Sequence, residues 1–288
     1  MWGVPLRVGT ISRLAQATTK VVAEPVEEAC PYVQAQAVAH LDETRWRQGG
    51  KRAWVWVAVT SWVTVFLVRR SRSGAVARAL LGETCAGIVV PDRSRAYPWY
   101  PGRWRQRCWA HRLRDLAAMM ERGGGSQAIG EALQRQARQM LHWWHRVREG
   151  TLSRSSFRSS MSPVRREVER RLEAGRTCGV PKTEGLCREI LTLHQALWTF
   201  GQVDGVEPTH KAAERALRPG VLWRKGSFGT QSEEGSRFVE SMMPVVTTLQ
   251  QQQRHVLESL TEACEAALRG DAAPALLPAS DQKAQSVA

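Results

Sequence analysis

The stretch AWVWVAVTSWVTVFLV, residues 53–68, decides the fold. It is shorter than the roughly 20 apolar residues that a membrane-spanning helix needs, and Thr60 and Ser61 interrupt it in the middle. β-Branched and aromatic residues fill both halves, which favours strands over a helix. We therefore predict two adjacent antiparallel strands, residues 54–60 and 62–69, joined by a tight turn and buried on both faces.

The segments around this hairpin extend it into a larger α/β pattern. Residues 10–29 have helical periodicity, a strand before the hairpin ends at Asp42, and a helix and a strand ending at Asp92 follow it. Three antiparallel strands followed by a strand–helix unit begin an RNase H-like fold. We predict an α/β protein with an RNase H-like mixed-sheet core, a helical insertion and flanking helices.

The same pattern predicts the organisation of the whole chain. The predicted segments are an N-terminal helical segment (1–30), the first part of the RNase H-like core (35–121), a helical insertion (122–186), the second part of the core with the helix that carries Glu214 (187–245), a C-terminal helix (246–270) and a disordered tail (271–288).

Charge and cysteine content narrow the function. The chain has 41 Lys and Arg against 27 Asp and Glu, a net charge of +14, and such a surplus indicates a polyanionic partner, with nucleic acid first. An anionic membrane is the rival, but no long amphipathic basic helix with a clean apolar face is present. No C-x-x-C pair signals a zinc or redox motif, and the first residues lack the apolar run of a signal peptide. We expect a cytoplasmic protein with free thiols and no membrane partner.

Three acids sit where the predicted fold could bring them together. Asp42 and Asp92 end two strands, and Glu214 lies in VEPTHKAAERALRP, a predicted helix that begins near Thr209 and stops at Pro219. An ordinary surface pair of Glu214 with an arginine four residues on is the simpler interpretation. Converging carboxylates raise each other's pKa, however, and Mg²⁺ ions, which prefer oxygen ligands, would relieve the repulsion and promote displacement at phosphorus.

Five ordered blocks carry a resemblance that covers residues 5 to 275. HLDETRW, VPDRSRAY, RCWAHRLRDL, PTHKAAERALRP and WRKGSFGTQSEEGSRFVESMM resemble the core blocks of DDE transposases of the insertion-sequence sixty-six family. The resemblance implies metal-dependent cleavage of transposon ends and their joining to target DNA, with Asp42, Asp92 and Glu214 as catalytic residues and ligands of two Mg²⁺ (or Mn²⁺) ions. It also implies double-stranded DNA as partner and a bacterial cytoplasmic protein that is nucleoid-associated when bound to DNA; a homo-oligomer stays open.

The resemblance also bears on the start of the chain and on further site residues. Longer relatives begin with a zinc-binding, end-recognition region, and GVPLRVGTISRLAQ resembles only its tail, so we expect an N-terminally truncated catalytic core. His111 and His210 are candidates for active-site support; Cys108 and His111 can also be read as ligands, although we expect Cys108 to be buried. The predicted DNA-binding residues are Lys211, Arg215, Arg218 and, in a Gly/Ser-rich basic loop, Arg224 and Lys225.

One departure keeps two alternatives open. The family usually has two asparagines where this chain has His210 and Lys211, and Lys211 could pair with Glu214 in competition with a metal ion. The first alternative is therefore a catalytically decayed, basic DNA-binding remnant of a transposase. The second is an RNase H-like nuclease that acts on branched or hybrid nucleic acid.

Overall fold

A computed structural model describes residues 5–83, 85–92, 97 and 99–279. The strands are β1 (Val38–Gln48), β2 (Lys51–Val59), β3 (Thr64–Arg69) and β4 (Ile88–Val90). The α-helices are α1 (Val8–Val21), α2 (Ala23–Gln34), α3 (Gly74–Leu81), α4 (Trp109–Glu121), α5 (Gly124–Arg148), α6 (Arg154–Gly175), α7 (Pro181–Thr192), α8 (Thr199–Gln202), α9 (Lys211–Ser227), α10 (Glu233–Gln251) and α11 (Val256–Arg269). The fold class is mixed α/β, consistent with an RNase H-like core, and this prediction is confirmed.

The chain divides into two compact units. The first comprises Met1–Gly87, Arg95–Trp99 and Lys211–Ala288, and the second comprises Ile88–Ser94 and Tyr100–His210. Within the part of the chain that the structure describes, no helix is both long enough and apolar enough to cross a membrane.

The predicted hairpin forms the centre of the first unit. Strands β3, β2 and β1 lie side by side in that order, and both neighbouring pairs are antiparallel. Thr60 closes the tight turn, because its backbone N–H donates to the Val63 carbonyl (3.0 Å) and its hydroxyl oxygen accepts from the Val63 N–H (3.1 Å). Val55, Trp56 and Val57 are fully buried, so β2 is covered on both faces, as its apolar sequence predicts.

Helices α9 and α10 cover one face of these three strands. α9 packs on β1 and β2, whereas α10 packs on β3. Small residues of α9, Ala213 and Ala216, lie in this contact together with branched residues of the strands. The core between them consists of Trp46, Ala53, Val55, Val57, Val59, Phe66, Val68, Ala213, Ala216, Leu217, Val239 and Met243.

The course of α9 corrects two predictions. The helix does not stop at Pro219 and Gly220 but runs on to Ser227, so Arg224 and Lys225 lie in its last turn and not in a loop. Pro219 removes one helical hydrogen bond, but buried residues before and after it, among them Leu217 and Gly220, press the helix against its unit. Tertiary packing therefore outweighs the local helix-breaking signal.

The end of the chain corrects part of the predicted disordered tail. Gln252 donates from its side-chain amide to the carbonyl of Leu276 (2.9 Å), and Leu276 is buried. The segment after α11 is thus packed at this point, because the apolar side chain of Leu276 is buried there. Residues 280–288 of the predicted tail lie outside the described residues.

The second unit is mostly helical and contains α4 to α8 together with β4. α4 packs on α5, α5 on α6 and α6 on α7. Gly130 allows a close approach of α5 to α4, because a Cβ atom there would lie 2.9 Å from the Leu116 carbonyl oxygen. Trp144 packs its ring against Phe157 (5.5 Å between centroids) and Phe200 (5.0 Å), which anchors α5 to α6 and α8.

Candidate active site

Asp42 projects from β1 towards the side of the sheet that α9 covers. In the β1–β2 ladder Asp42 is the direct partner of Val57, and directly opposed residues of antiparallel strands share a face. Val57 belongs to the core that α9 helps to form. Asp42 is half-buried, and one of its carboxylate oxygens accepts a hydrogen bond from the Glu43 N–H (2.8 Å).

Glu214 lies on the helix that covers this same face. It occupies the first turn of α9, where the partial positive charge of the helix N-terminus favours a carboxylate. Its neighbour Ala213 and the later Ala216 are buried against the sheet, whereas Glu214 is exposed. Two of the three predicted acids thus belong to the first unit and to one side of its sheet.

Asp92 belongs to the second unit. It comes two residues after the end of β4, behind Pro91, and is half-buried. Its position directly beyond a strand agrees with the sequence pattern that singled it out. The convergence of Asp92 with the other two acids stays a prediction.

Glu43 lies on the opposite face from Asp42, as the alternation of side chains along a strand requires. Its direct partner in the ladder is Trp56, and its buried carboxylate accepts hydrogen bonds from Arg72 Nε (2.7 Å) and the Tyr97 hydroxyl (3.3 Å). One Glu43 carboxylate oxygen nevertheless lies within 4.8 Å of one from Asp42. The alternation of side chains along a strand predicts from HLDETRW that the two acids face opposite sides, but it does not predict that their carboxylates lie so close.

The predicted DNA-binding cations separate into two groups on α9. Each residue of an α-helix is rotated by about 100° from the one before, and this rotation puts Arg224 on the buried side and Lys225 between Glu214 and Arg218. One Arg224 guanidinium nitrogen accordingly donates to the Thr44 hydroxyl (3.1 Å) and to the Arg45 carbonyl of β1. The exposed group, which we call the basic stripe, consists of Lys211, Arg215, Arg218 and Lys225.

The two histidines predicted to support the site lie together in the second unit. The rings of His111 and His210 are 4.8 Å apart between centroids and tilted by 36°. Burial, aided by the positive charge of Arg114, lowers the pKa of His210 to about 4, so this imidazole is neutral at pH 7. Cys108 is buried, as predicted, and joins the two histidines. The sequence pointed to Cys108 and His111 as a pair, but it gave no sign that His210 would reach them.

Comparison with known proteins places the chain in a family. No curated protein and no solved structure matches the chain. The model of a family described as the transposase IS66 family matches residues 1–238, a span that contains every acid and every cation considered above. The chain therefore belongs to the transposase IS66 family.

Proposed function

We propose that this transposase cuts DNA at the ends of its mobile element and joins those ends to target DNA, with Asp42, Asp92 and Glu214 as its catalytic carboxylates. The observation that carries the proposal is the placement of Asp42 on the face that α9 covers, together with Glu214 in the first turn of that helix. Family membership supports a transposase role for the chain as a whole.

The residues of the proposed site fit a divalent metal, whose use the family implies. Carboxylates are the hard oxygen donors that Mg²⁺ and Mn²⁺ prefer. Glu214 is exposed and Asp42 half-buried, so both keep contact with solvent from which hydrated ions arrive. Two such ions, when bound, would supply Lewis-acid stabilisation of an in-line displacement at phosphorus.

The chain's own residues would contribute by binding the metal cations and the DNA phosphates at fixed positions. Glu214 lies in the first turn of α9, where the helix dipole attracts a carboxylate, and a carboxylate is the ligand that would bind a cation. The basic stripe borders Glu214 and would hold the phosphates of duplex DNA by sequence-independent attraction. Arg224 would act indirectly, because its bonds to β1 fix the last turn of α9 from which Lys225 projects.

Cleavage of a labelled transposon-end duplex in Mg²⁺ or Mn²⁺ tests the proposal. Asp42→Asn, Asp92→Asn and Glu214→Gln should each abolish cleavage while duplex binding persists, since the cations remain. Glu233→Gln is the matched control: Glu233 is an exposed acid in the first turn of α10, paired with Arg237, and its loss should leave cleavage unchanged. Wild-type cleavage by any of the three acid variants would remove that residue from the site.

Lys211 favours a second candidate, a DNA-binding remnant without activity. It is exposed three residues before Glu214, and a unit charge at 4 Å in water is worth about 1 kcal/mol, which is enough to weaken metal binding about fivefold. Lys211→Asn separates the candidates. An inactive native chain that gains cleavage in this variant would be a remnant, whereas a native chain that already cleaves is an active transposase.

A further inference from the structure

A cysteine and two histidines form a compact cluster in the second unit. One ligand atom each from Cys108, His111 and His210 lie within 4.8 Å of one another. Cys108 immediately precedes α4, and His111 lies in the first turn of that helix. Their spacing of three residues puts both side chains on one face of the turn, and His210 approaches that face from the segment before α9.

The backbone around the cluster is firmly held. The Trp109 N–H donates to the Pro208 carbonyl (2.9 Å), which ties the segment that carries His210 to the start of α4. The Trp109 indole N–H donates to the Leu197 carbonyl (2.7 Å). Cys108 is 4% exposed and His210 only 1%. The three side chains are therefore kept together by the fold and do not meet by chance on a mobile surface.

We propose that Cys108, His111 and His210 bind one transition-metal ion of borderline softness, with Zn²⁺ as the natural occupant. Thiolate and imidazole are the donors that select Zn²⁺, whereas Mg²⁺ takes oxygen. This donor set differs from the carboxylates of the proposed active site, so the inference goes beyond the proposed function and does not depend on it.

The geometry needs only a small adjustment to receive the ion. Zn–N bonds of about 2.0–2.1 Å and a Zn–S bond of about 2.3 Å around a tetrahedral centre put ligand atoms roughly 3.3–3.6 Å apart. Side-chain rotations that move the ligand atoms by about 1 Å would bring them from within 4.8 Å of one another to those distances. Three protein ligands leave a fourth position, and the half-buried His111 gives that position access to water.

Neighbouring charges decide how tightly the ion is held. The buried guanidinium of Arg112 is balanced by Asp115 (3.1 Å) and Glu189 (3.6 Å), so it adds little repulsion. The positive charge of Arg114 acts on His210 and opposes the cation. Deprotonation of the Cys108 thiol on binding supplies the compensating negative charge. A competing explanation is that the three side chains form a packed polar core without a metal ion, held together by the contact between the two histidine rings.

Metal content of the full-length protein tests the site. Protein purified with added ZnSO₄ and then dialysed should retain about one Zn²⁺ per chain, because three side-chain ligands form one site. Cys108→Ser and His210→Gln should lose most of it. Cys187→Ser and His194→Gln are matched controls, since both residues are buried in the same unit outside the cluster, and they should retain it. Zinc-free wild-type protein, or equal zinc in all variants, would overturn the proposal.

Cobalt substitution gives an independent readout that includes a gain of signal, which a folding defect does not predict. Co²⁺ in place of Zn²⁺ should give thiolate-to-cobalt charge-transfer absorption in the wild-type protein and in Cys187→Ser, and none in Cys108→Ser. His111→Cys replaces one ligand by another and should raise this absorption. A packed polar core without metal predicts no such band in the wild type and no gain in His111→Cys, and that result would contradict the site.

Discussion

At the scale of single residues, two adjacent cations at the end of α9, Arg224 and Lys225, differ in their contacts. Arg224 donates to the Thr44 hydroxyl and the Arg45 carbonyl, whereas Lys225 is exposed in the basic stripe. Arg224→Ala should lower the free energy of unfolding by about 1–2 kcal/mol, because two hydrogen bonds from a charged donor are lost. Lys225→Ala should change it by less than about 0.5 kcal/mol.

DNA binding by these two variants should show the reverse order. If Lys225 contacts a phosphate, Lys225→Ala lowers the slope of log K against log[salt] by about 1. Chemical denaturation and fluorescence anisotropy with duplex DNA measure both properties. A destabilised Lys225→Ala, or an Arg224→Ala that loses only affinity, would show that the two roles are assigned the wrong way round.

A buried histidine should make the stability of the protein depend on pH. Burial lowers the pKa of His194, Glu169 raises it and Arg165 lowers it, and the neutral ring accepts a hydrogen bond from the Trp198 indole (3.2 Å). Because the unfolded chain binds this proton at its ordinary pKa of about 6.5, stability is complete above that pH and declines as the pH falls below it.

His194→Gln should therefore flatten the decline in unfolding free energy between about pH 7 and pH 5. Glutamine keeps an acceptor for Trp198 but does not titrate. Denaturant titrations at several pH values measure the slope in the wild type and in His194→Gln. Equal slopes in the wild type and His194→Gln would contradict the assignment.

The residue-level predictions from sequence succeeded where one strand or one turn contains the information. The period of two along β1 predicted that Asp42 and Glu43 face opposite sides, and the ladder confirms it. The role of Arg224 could not be predicted, because its partners lie on β1 far away in the chain. The same holds for His210, which meets Cys108 only through tertiary structure.

At the scale of elements, the connection between α9 and α10 fixes both helices to the end of β1. The Thr230 N–H donates to the Arg47 carbonyl (2.9 Å), and the Trp46 indole N–H donates to the Thr230 hydroxyl (3.2 Å). Gly229 has a φ of 109°, and a Cβ atom there would lie 2.3 Å from the Arg47 carbonyl oxygen. Only glycine combines that φ with so close an approach to backbone.

Gly229→Ala should consequently destabilise the protein by several kcal/mol, since neither the dihedral angle nor the strand can adjust cheaply. Gly226→Ala is the matched control: Gly226 lies in α9 with nothing near its missing Cβ, so alanine should be neutral or stabilise by up to about 1 kcal/mol. Thermal unfolding compares the two. Similar midpoints would show that the connection is not held as tightly as its contacts indicate.

The elements themselves show the limit of local signals. Alternating and apolar runs predicted the hairpin of β2 and β3, because those strands are neighbours in sequence. Pro219 and Gly220 predicted a helix end that does not occur, since the stabilising partners of α9 are strands of the first unit. A local helix-breaking signal carries no information about packing partners that are distant in sequence.

At the scale of the whole molecule, the net charge of +14 predicts strongly salt-dependent binding to duplex DNA. The basic stripe should contribute more to this binding than the same number of exposed cations elsewhere. Replacing its four cations by alanine should lower the salt slope by up to about 4. A control variant loses the same charge at exposed residues of the second unit, Arg135, Arg138, Arg166 and Lys182, and should lose much less. Equal losses would assign binding to net charge alone.

The order of strands and helices along the chain was predictable from the sequence. It was not predictable that the first unit would be built from segments that precede and follow the second unit in the chain. The last part of the first unit begins at Lys211, after the chain has built Tyr100–His210 of the second unit. Asp42 and Glu214 belong to the first unit and Asp92 to the second, and the proposed catalytic set includes all three.

Iron-directed backbone cleavage in the intact protein tests whether these three carboxylates bind the same metal ions. Fe²⁺ substituted for Mg²⁺ generates hydroxyl radicals with ascorbate and peroxide, and these cut the backbone beside the ion. We expect fragments that end near residues 42, 92 and 214, suppressed by excess Mg²⁺, because Fe²⁺ and Mg²⁺ compete for the same oxygen ligands. Cuts near Cys108 that respond to Zn²⁺ and not to Mg²⁺ would come from the cysteine–histidine cluster.

Variants make the result decisive. Glu214→Gln should weaken the cuts near all three positions together, since a shared site loses an ion when it loses one ligand. Glu233→Gln should leave the pattern unchanged. Fragments near 42 and 214 without any near 92 would mean that the second unit does not contribute its aspartate, and Asp92 would then have to be removed from the proposed active site.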